Sequence, residues 1–158
     1  MNIHEQPSTS IEELRARVGQ VIGISPWHAV TQDMIDRFSD VTDDHQFIHS
    51  DPVRAKAETP FGGTIAHGFL TLSLLSMLAR DAIPRLKDRA MGINYGFDRI
   101  RFMTPVKSGA RVRGRFTLSE VVDRAEKLIM FRYAVSIEIE GSAKPALTAD
   151  WLTLAVVE

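Results

Sequence analysis

From Ile129 to Ile139 every second residue is large and apolar: Ile129, Phe131, Tyr133, Val135, Ile137 and Ile139. Successive side chains of a β-strand point to opposite faces, so this period of two commits the segment to a long strand with one buried face. The same alternation recurs in Met91, Ile93, Tyr95 and Phe97, in Ala110, Val112, Gly114, Phe116 and Leu118, and across Ala149 to Val157. Lys107-Ser-Gly109, Asp123-Arg124 and Gly141-Ser142 punctuate the four runs. Connections this short predict an antiparallel meander.

A sheet with one greasy face needs a cover. Gly68 to Arg80 is apolar on nearly every side, which predicts a helix enclosed by the rest of the chain. The expected fold class is therefore α+β: a single hot-dog fold, with a long antiparallel sheet wrapped around a central apolar helix. With 158 residues and no internal repeat, the chain reads as one domain over 1–158, since a double hot dog needs nearly twice the length. Residues 1–19 read as an N-terminal helical extension. Within it Ser10-Ile-Glu-Glu13 is a capping box, and the helix should stop near Gly19.

Val21 to Ser25 follows as a short strand. Thr31 then caps a helix with Met34, Ile35, Phe38 and Val41 at helical spacing. Asp51-Pro52 opens another short helix, Val53 to Glu58, which ends before the Thr59-Pro-Phe-Gly-Gly63 loop.

Composition removes several classes of chemistry. There is no cysteine, so disulfides, thiolate metal sites and thiol nucleophiles are excluded. A net charge of −1 offers no reason to expect nucleic acid. Met1 to Ser10 lack the basic-then-apolar order of a signal peptide, and Ile65 to Ala79 is too short to span a bilayer. A soluble protein with no membrane partner is expected, and a reducing cytoplasm is the compatible location. Charge is unevenly spread: Arg80 to Arg115 holds ten basic residues against three acids, leaving the remainder at −8. These cations are either solvated strand positions or a landing surface for an anionic carrier such as coenzyme A.

The chemistry concentrates in two short stretches, Phe38-Ser-Asp-Val-Thr-Asp-Asp44-His-Gln-Phe-Ile-His49 and Thr64-Ile-Ala-His67-Gly68. Taken singly, Asp44 reads as a turn residue and His49 as a surface histidine. Together they place a carboxylate and an imidazole five residues apart in a connection between two helices. A glycine then opens the apolar helix, where unpaired N–H groups and the positive dipole end can stabilise an anion. An acid/base pair with a backbone oxyanion donor is the equipment for adding water to an unsaturated thioester. His45 and His49 form His-x-x-x-His without a convincing third ligand, so no metal is expected. Gly62-Gly63 lacks a following Gly-Lys-Ser/Thr, and Gly-x-Ser-x-Gly is missing.

The run from Phe38 to Ala55 resembles the signature of the MaoC-like (R)-specific enoyl-CoA hydratases: an aromatic residue, Gly-Asp-x-Asn-Pro-aliphatic-His, and a small residue six positions after the histidine. Asp44, Ile48, His49 and Ala55 match it. His49-x-Asp51-Pro52, Ala66-His67-Gly68 and Pro105-Val-Lys-Ser-Gly109 extend the resemblance over roughly residues 20 to 157, and the pattern is most similar to the branch that includes nodulation protein N. Three positions depart from the signature: Asp43 replaces glycine, Gln46 asparagine and Phe47 proline.

The resemblance implies that Asp44 and His49 hold the catalytic water and share the proton transfers, while the Gly68 N–H binds the thioester oxygen. For Ser76 it implies a serine that helps order the site, the alternative being a hydroxyl bonded to the preceding helical turn; Gln46, which can still donate and accept hydrogen bonds, and His67, a structural residue whose ring supports the loop, read as further supporting residues. It further implies a coenzyme A or acyl-carrier thioester as substrate, no resident cofactor, an acyl chain lying along Leu70 to Leu78, and a homodimer joined edge to edge. The competing readings are a hot-dog acyl-CoA thioesterase and a non-catalytic acyl-binding or partner subunit.

Overall fold

A computed structural model of the chain describes residues 7–158; expectations for residues 1–6 lie outside it. The elements run β1 (Ser8–Thr9), α1 (Ile11–Ala16), β2 (Val21–Ile24), β3 (His28–Ala29), α2 (Gln32–Thr42), α3 (Phe47–Ser50), α4 (Pro52–Glu58), α5 (Gly68–Ser73), α6 (Leu75–Ala82), β4 (Arg85–Leu86), β5 (Arg89–Phe102), β6 (Arg111–Ala125), β7 (Leu128–Ile139) and β8 (Leu147–Val157). The Ser10 capping box forms as expected, with Glu13 Oε2 accepting from the Ser10 N–H at 2.8 Å.

The main sheet is antiparallel, in the order β2-β6-β7-β8-β5, with β3 also paired to β6. Only β6, β7 and β8 form the expected meander. β5 is carried to the far side of β8, so the Lys107-Ser-Gly109 turn lies in a crossover instead of a hairpin. The reason is the helix: α5 and α6 occupy the concave face, and the chain must pass around them to begin β6. The hairpin after β6 turns at Glu126-Lys127, and Asp123-Arg124 stays within the strand.

The concave face carries Val112, Phe116 and Leu118 of β6, Tyr133, Val135 and Ile137 of β7, and Ala149 and Trp151 of β8, all buried. Leu75, Leu78 and Ala79 of α6 pack against them. Gly114 permits that approach, because a Cβ there would sit 2.6 Å from the Phe116 ring and 3.1 Å from Leu78 Cβ. Burying a Phe or Leu fully contributes about 1.5–3 kcal/mol each, so this layer dominates stability. The convex face is laced with ion pairs: Arg113 and Arg115 with Glu138, Arg111 with Glu140, Arg99 with Asp150, and Arg132 with Glu120 and Asp98. Four of the ten basic residues of the segment, Arg99, Arg111, Arg113 and Arg115, are thus paired with acids on neighbouring strands, which favours the solvated-strand reading for these four. Exposed pairs of this kind contribute about 0–1 kcal/mol each.

Three further expectations are revised. The central helix is two helices joined at Leu74, whose N–H bonds back to Leu70 while it also serves as the N-cap of α6. Phe69, on its outer side, is 68% exposed, so enclosure by this chain is incomplete. Val41 is 85% exposed, because α2 presents only the Ile35 and Ser39 side to the interior.

Candidate active site

Three elements converge where α5 begins. α2 ends at Asp43, whose left-handed conformation (φ 56, ψ 26) reverses the chain. The MaoC-type signature has glycine at this position, a residue free to adopt that conformation, and aspartate tolerates the left-handed region better than most residues. Asp44 follows in an exposed connection. His49 does not sit in that connection as expected: it lies on α3, a single turn packed inward.

His49 is 6% exposed, and its Nδ1 donates to the Ile65 carbonyl at 2.7 Å. A carbonyl can only accept, so Nδ1 carries the proton and Nε2 keeps a lone pair. Burial is the main influence lowering the His49 pKa from its ordinary value; the Ile65 hydrogen bond raises it, the neighbouring His67 lowers it and Asp44 raises it. The balance leaves a neutral base. The backbone of α3 is clamped as well, since Gln32 Nε2 donates to the His49 carbonyl at 2.7 Å and Thr64 Oγ1 donates to Gln32 Oε1.

His67 stacks on His49 with ring centroids 3.8 Å apart and planes 24° from parallel. Its Nε2 lies 3.0 Å from the Asp44 carbonyl oxygen and 3.3 Å from Ser39 Oγ, while its Nδ1 is buried without a partner among the described residues. One ligand-capable atom each of Asp44, His49 and His67 falls within 4.8 Å of the others. Those three, not His45, are the nearest approach to a metal-binding set among the described residues. His45 instead faces the Asp40 and Asp43 carboxylates. Zinc–nitrogen bonds are about 2.0–2.1 Å long, which requires ligand atoms closer together than hydrogen bonds do. A water molecule, with longer hydrogen bonds, suits the spacing better.

Gly68 is the first residue of α5, where N–H groups have no intrahelical acceptor. It borders a recess of about 280 Å³ shared with His49, Ile65, Ala66, Thr71, Phe102 and the strand connection as far as Val106. A Cβ at Gly68 would lie 3.0 Å from the Phe102 ring, so any other residue would narrow the recess at its mouth.

Two expected supporters lie elsewhere. Ser76 is exposed and meets Asn94 Nδ2 at 3.3 Å, bordering a separate chamber. Gln46 holds the connection through its backbone: its carbonyl accepts from the His49 N–H at 2.9 Å, and its side chain makes no cap. Ser39 and Gln32 escaped the sequence reading. The signal for Ser39 was a small polar residue beside Phe38 on the inward side of an amphipathic helix.

The second chamber, about 560 Å³, lies further along the rod between α6 (Ser76, Ala79), the first half of β5 and the aromatic wall of Phe131, Tyr133 and Trp151. Burial pushes the Tyr133 phenol up to about 12, so it stays protonated at neutral pH.

The MaoC like domain matches residues 13–138, which covers both the site and three of the four long strands. The chain belongs to the MaoC-like dehydratase family. It is similar to nodulation protein N of Rhizobium leguminosarum bv. viciae, 54% identical over 145 residues that span 92% of this chain and 90% of that protein. It is 43% identical over 141 residues to the 3-hydroxyacyl-thioester dehydratase Z of Mycobacterium tuberculosis, spanning 89% of this chain and 92% of the relative. The (R)-hydratase from A. caviae involved in PHA biosynthesis shares the hot-dog fold with a TM-score of 0.66 at 23% identity, over 85% of this chain and 95% of that one. As a MaoC-like dehydratase, the protein is an enzyme of the hydro-lyase class. No helix among the described residues is long and apolar enough to cross a membrane.

Proposed function

We propose that this MaoC-like dehydratase interconverts trans-2-enoyl and (R)-3-hydroxyacyl thioesters of coenzyme A or an acyl carrier, using no resident cofactor. The observation that carries the reading is the cluster at the head of α5: His49, neutral with a free Nε2, and the open N-terminus of α5 at Gly68 line one recess, and an Asp44 carboxylate oxygen lies within 4.8 Å of a His49 ring nitrogen. In the hydration direction, Asp44 and His49 hold a water and take one of its protons as its oxygen bonds to C3. Electrons move to the thioester oxygen, where the Gly68 N–H bears the enolate charge. A proton delivered to C2 completes the addition, and dehydration runs the same steps backward. General acid–base groups contribute roughly 100- to 10,000-fold, and loss of one oxyanion donor costs on the order of 100-fold or more.

The acyl chain runs along the rod toward the second chamber. From Gly68 to Ser76 is about 12 Å of helix at the usual rise, so chains of medium length reach it. The exposed Met91, Ile93 and Tyr95 of β5, with Phe69, Phe102 and Met103, support a homodimer in which a second copy pairs with the outer edge of that strand.

The test is to offer the purified protein crotonyl-, octenoyl- and dodecenoyl-CoA, determine product chirality, and run Asp44→Asn and His49→Ala alongside. Loss of enoyl-thioester absorbance without thiol release supports the proposal. Thiol release makes the protein a thioesterase, and variants as active as the parent sink the assigned roles.

A further inference from the structure

The site contains one buried titratable ring that the mechanism above does not use. His67 is 3% exposed and stands just before α5, yet it touches all three parts of the site. Through Nε2 it reaches the Asp44 carbonyl and Ser39 Oγ, the face of its ring lies on His49, and Phe38 of α2 tilts against it at 5.0 Å. Asp44 itself has little else to hold it. Its side chain is exposed, and among the described residues its carboxylate has only a long 3.5 Å contact from the Gln46 N–H.

We propose that His67 is a positioning residue: as the Nε2–H tautomer it pins Asp44 by its main-chain carbonyl, and by stacking on His49 it keeps that neighbour a neutral base. The tautomer follows from the acceptors. A carbonyl oxygen requires a donor, so the proton sits on Nε2, and the buried Nδ1 is left as a bare lone pair. The placement follows from the turn. Asp43 reverses the chain in the left-handed region, and the next carbonyl is caught by His67 before the chain enters α3, so the reach of Asp44 toward His49 is set from behind.

The electrostatic role follows from the stack. After burial, the neighbouring His67 is one of the influences that lower the His49 pKa. Few other charges compete. The connection after α2 contributes Asp44, which favours the protonated ring. Asp36 of α2 is hydrogen-bonded to Gln32. The strand connection facing His49 supplies Met103, Thr104, Pro105 and Val106, none of which titrates, and the nearby Lys107 meets Ile65 as a backbone bridge.

His67→Gln and His67→Phe separate the two roles. Glutamine places an amide N–H near the Nε2 position but has no ring, whereas phenylalanine keeps a stacking ring and loses the donor. The phenylalanine variant should lose roughly 10- to 100-fold in kcat with a smaller change in KM, the scale of a misplaced reacting group. The glutamine variant should lose clearly less kcat, and the acid limb of its kcat/KM profile should move to higher pH. Glutamine as damaging as phenylalanine, or an unmoved acid limb, overturns the proposal. Nitrogen-15 spectra of the parent protein should show His67 protonated at Nε2 and bare at Nδ1; the opposite tautomer overturns the proposal even if neither variant folds. The consequence for rate rests on the hydratase reading, but the His49 titration followed by the same spectra in the glutamine variant does not. Absence of hydratase activity in the parent would therefore sink that reading while the titration still decides the role of His67.

Discussion

The two ends of the α5–α6 rod are built on opposite principles. At the Gly68 end, buried polar groups are held by directional bonds: His49 by Ile65, His67 by Asp44 and Ser39, and the His49 carbonyl by Gln32. At the Ala79 end, the rod lies on apolar and aromatic surface with Leu78 wholly buried beside Phe116. Hydrogen bonds fix angles but add little net stability, while apolar burial adds stability without fixing direction. One end of the helix is suited to aligning a reaction and the other to holding the fold and accommodating a chain.

The contrast breaks if substitutions at the two ends behave alike. The largest effect is expected at the polar end: Asp44→Asn and His49→Ala should each lower kcat by roughly 100- to 10,000-fold in the enoyl-thioester assay, while Asp44→Asn, at an exposed position, leaves denaturant stability within about 0.5 kcal/mol. At the apolar end, Phe116→Ala should cost about 3–5 kcal/mol in urea unfolding, the usual loss for a buried aromatic ring. Its effect on rate should follow only the fraction folded.

Ala79→Phe would sharpen the comparison further. The added ring occupies the second chamber, so KM should rise for dodecenoyl-CoA and stay near the parent value for crotonyl-CoA. A uniform loss for both substrates would mean that the chamber does not receive the chain. Asp43→Val tests the turn between the two regimes: a β-branched residue in the left-handed region should cost about 1–2 kcal/mol, read as a lower urea midpoint with unchanged slope.

The smallest effect concerns pH. Burial depresses the folded-state pKa of His49, so the unfolded chain binds a proton first as pH falls. The stabilisation is complete above the ordinary histidine value of 6.5 and is lost as pH falls through the depressed folded value. Unfolding midpoints should drop as pH falls below 6.5, and His49→Gln should flatten that slope. A parent slope no steeper than the variant's would remove burial as the cause.

Strand content was legible in the sequence because alternation is local; the order of the strands was not. β5 alternates as plainly as β7, yet Met91, Ile93 and Tyr95 are exposed, and the strand pairs with β8 instead of β6. Nothing within the strand encodes its neighbour. Asp44, His49 and Gly68 were recognisable because their spacing matches a known signature; His49 and Gly68 line one recess, and the Asp44 carboxylate lies near the His49 ring. Ser76 was placed by the same analogy and lies beside the other chamber, since the break at Leu74 and the eight positions separating it from Gly68 carry it down the rod.

By itself the sequence determined the four long strands, the Ser10, Thr31 and Asp51 helix caps, the buried faces of β6 and β7 and the residue types available for acid/base chemistry, because all of these depend on neighbours a few positions apart. Only the tertiary structure decided that His49 is buried, that His67 lies over it and that Ser39 and Gln32 brace the pair. Those contacts join residues 17 to 32 positions apart, and such distances are closed by the packing of whole helices, which no local pattern records.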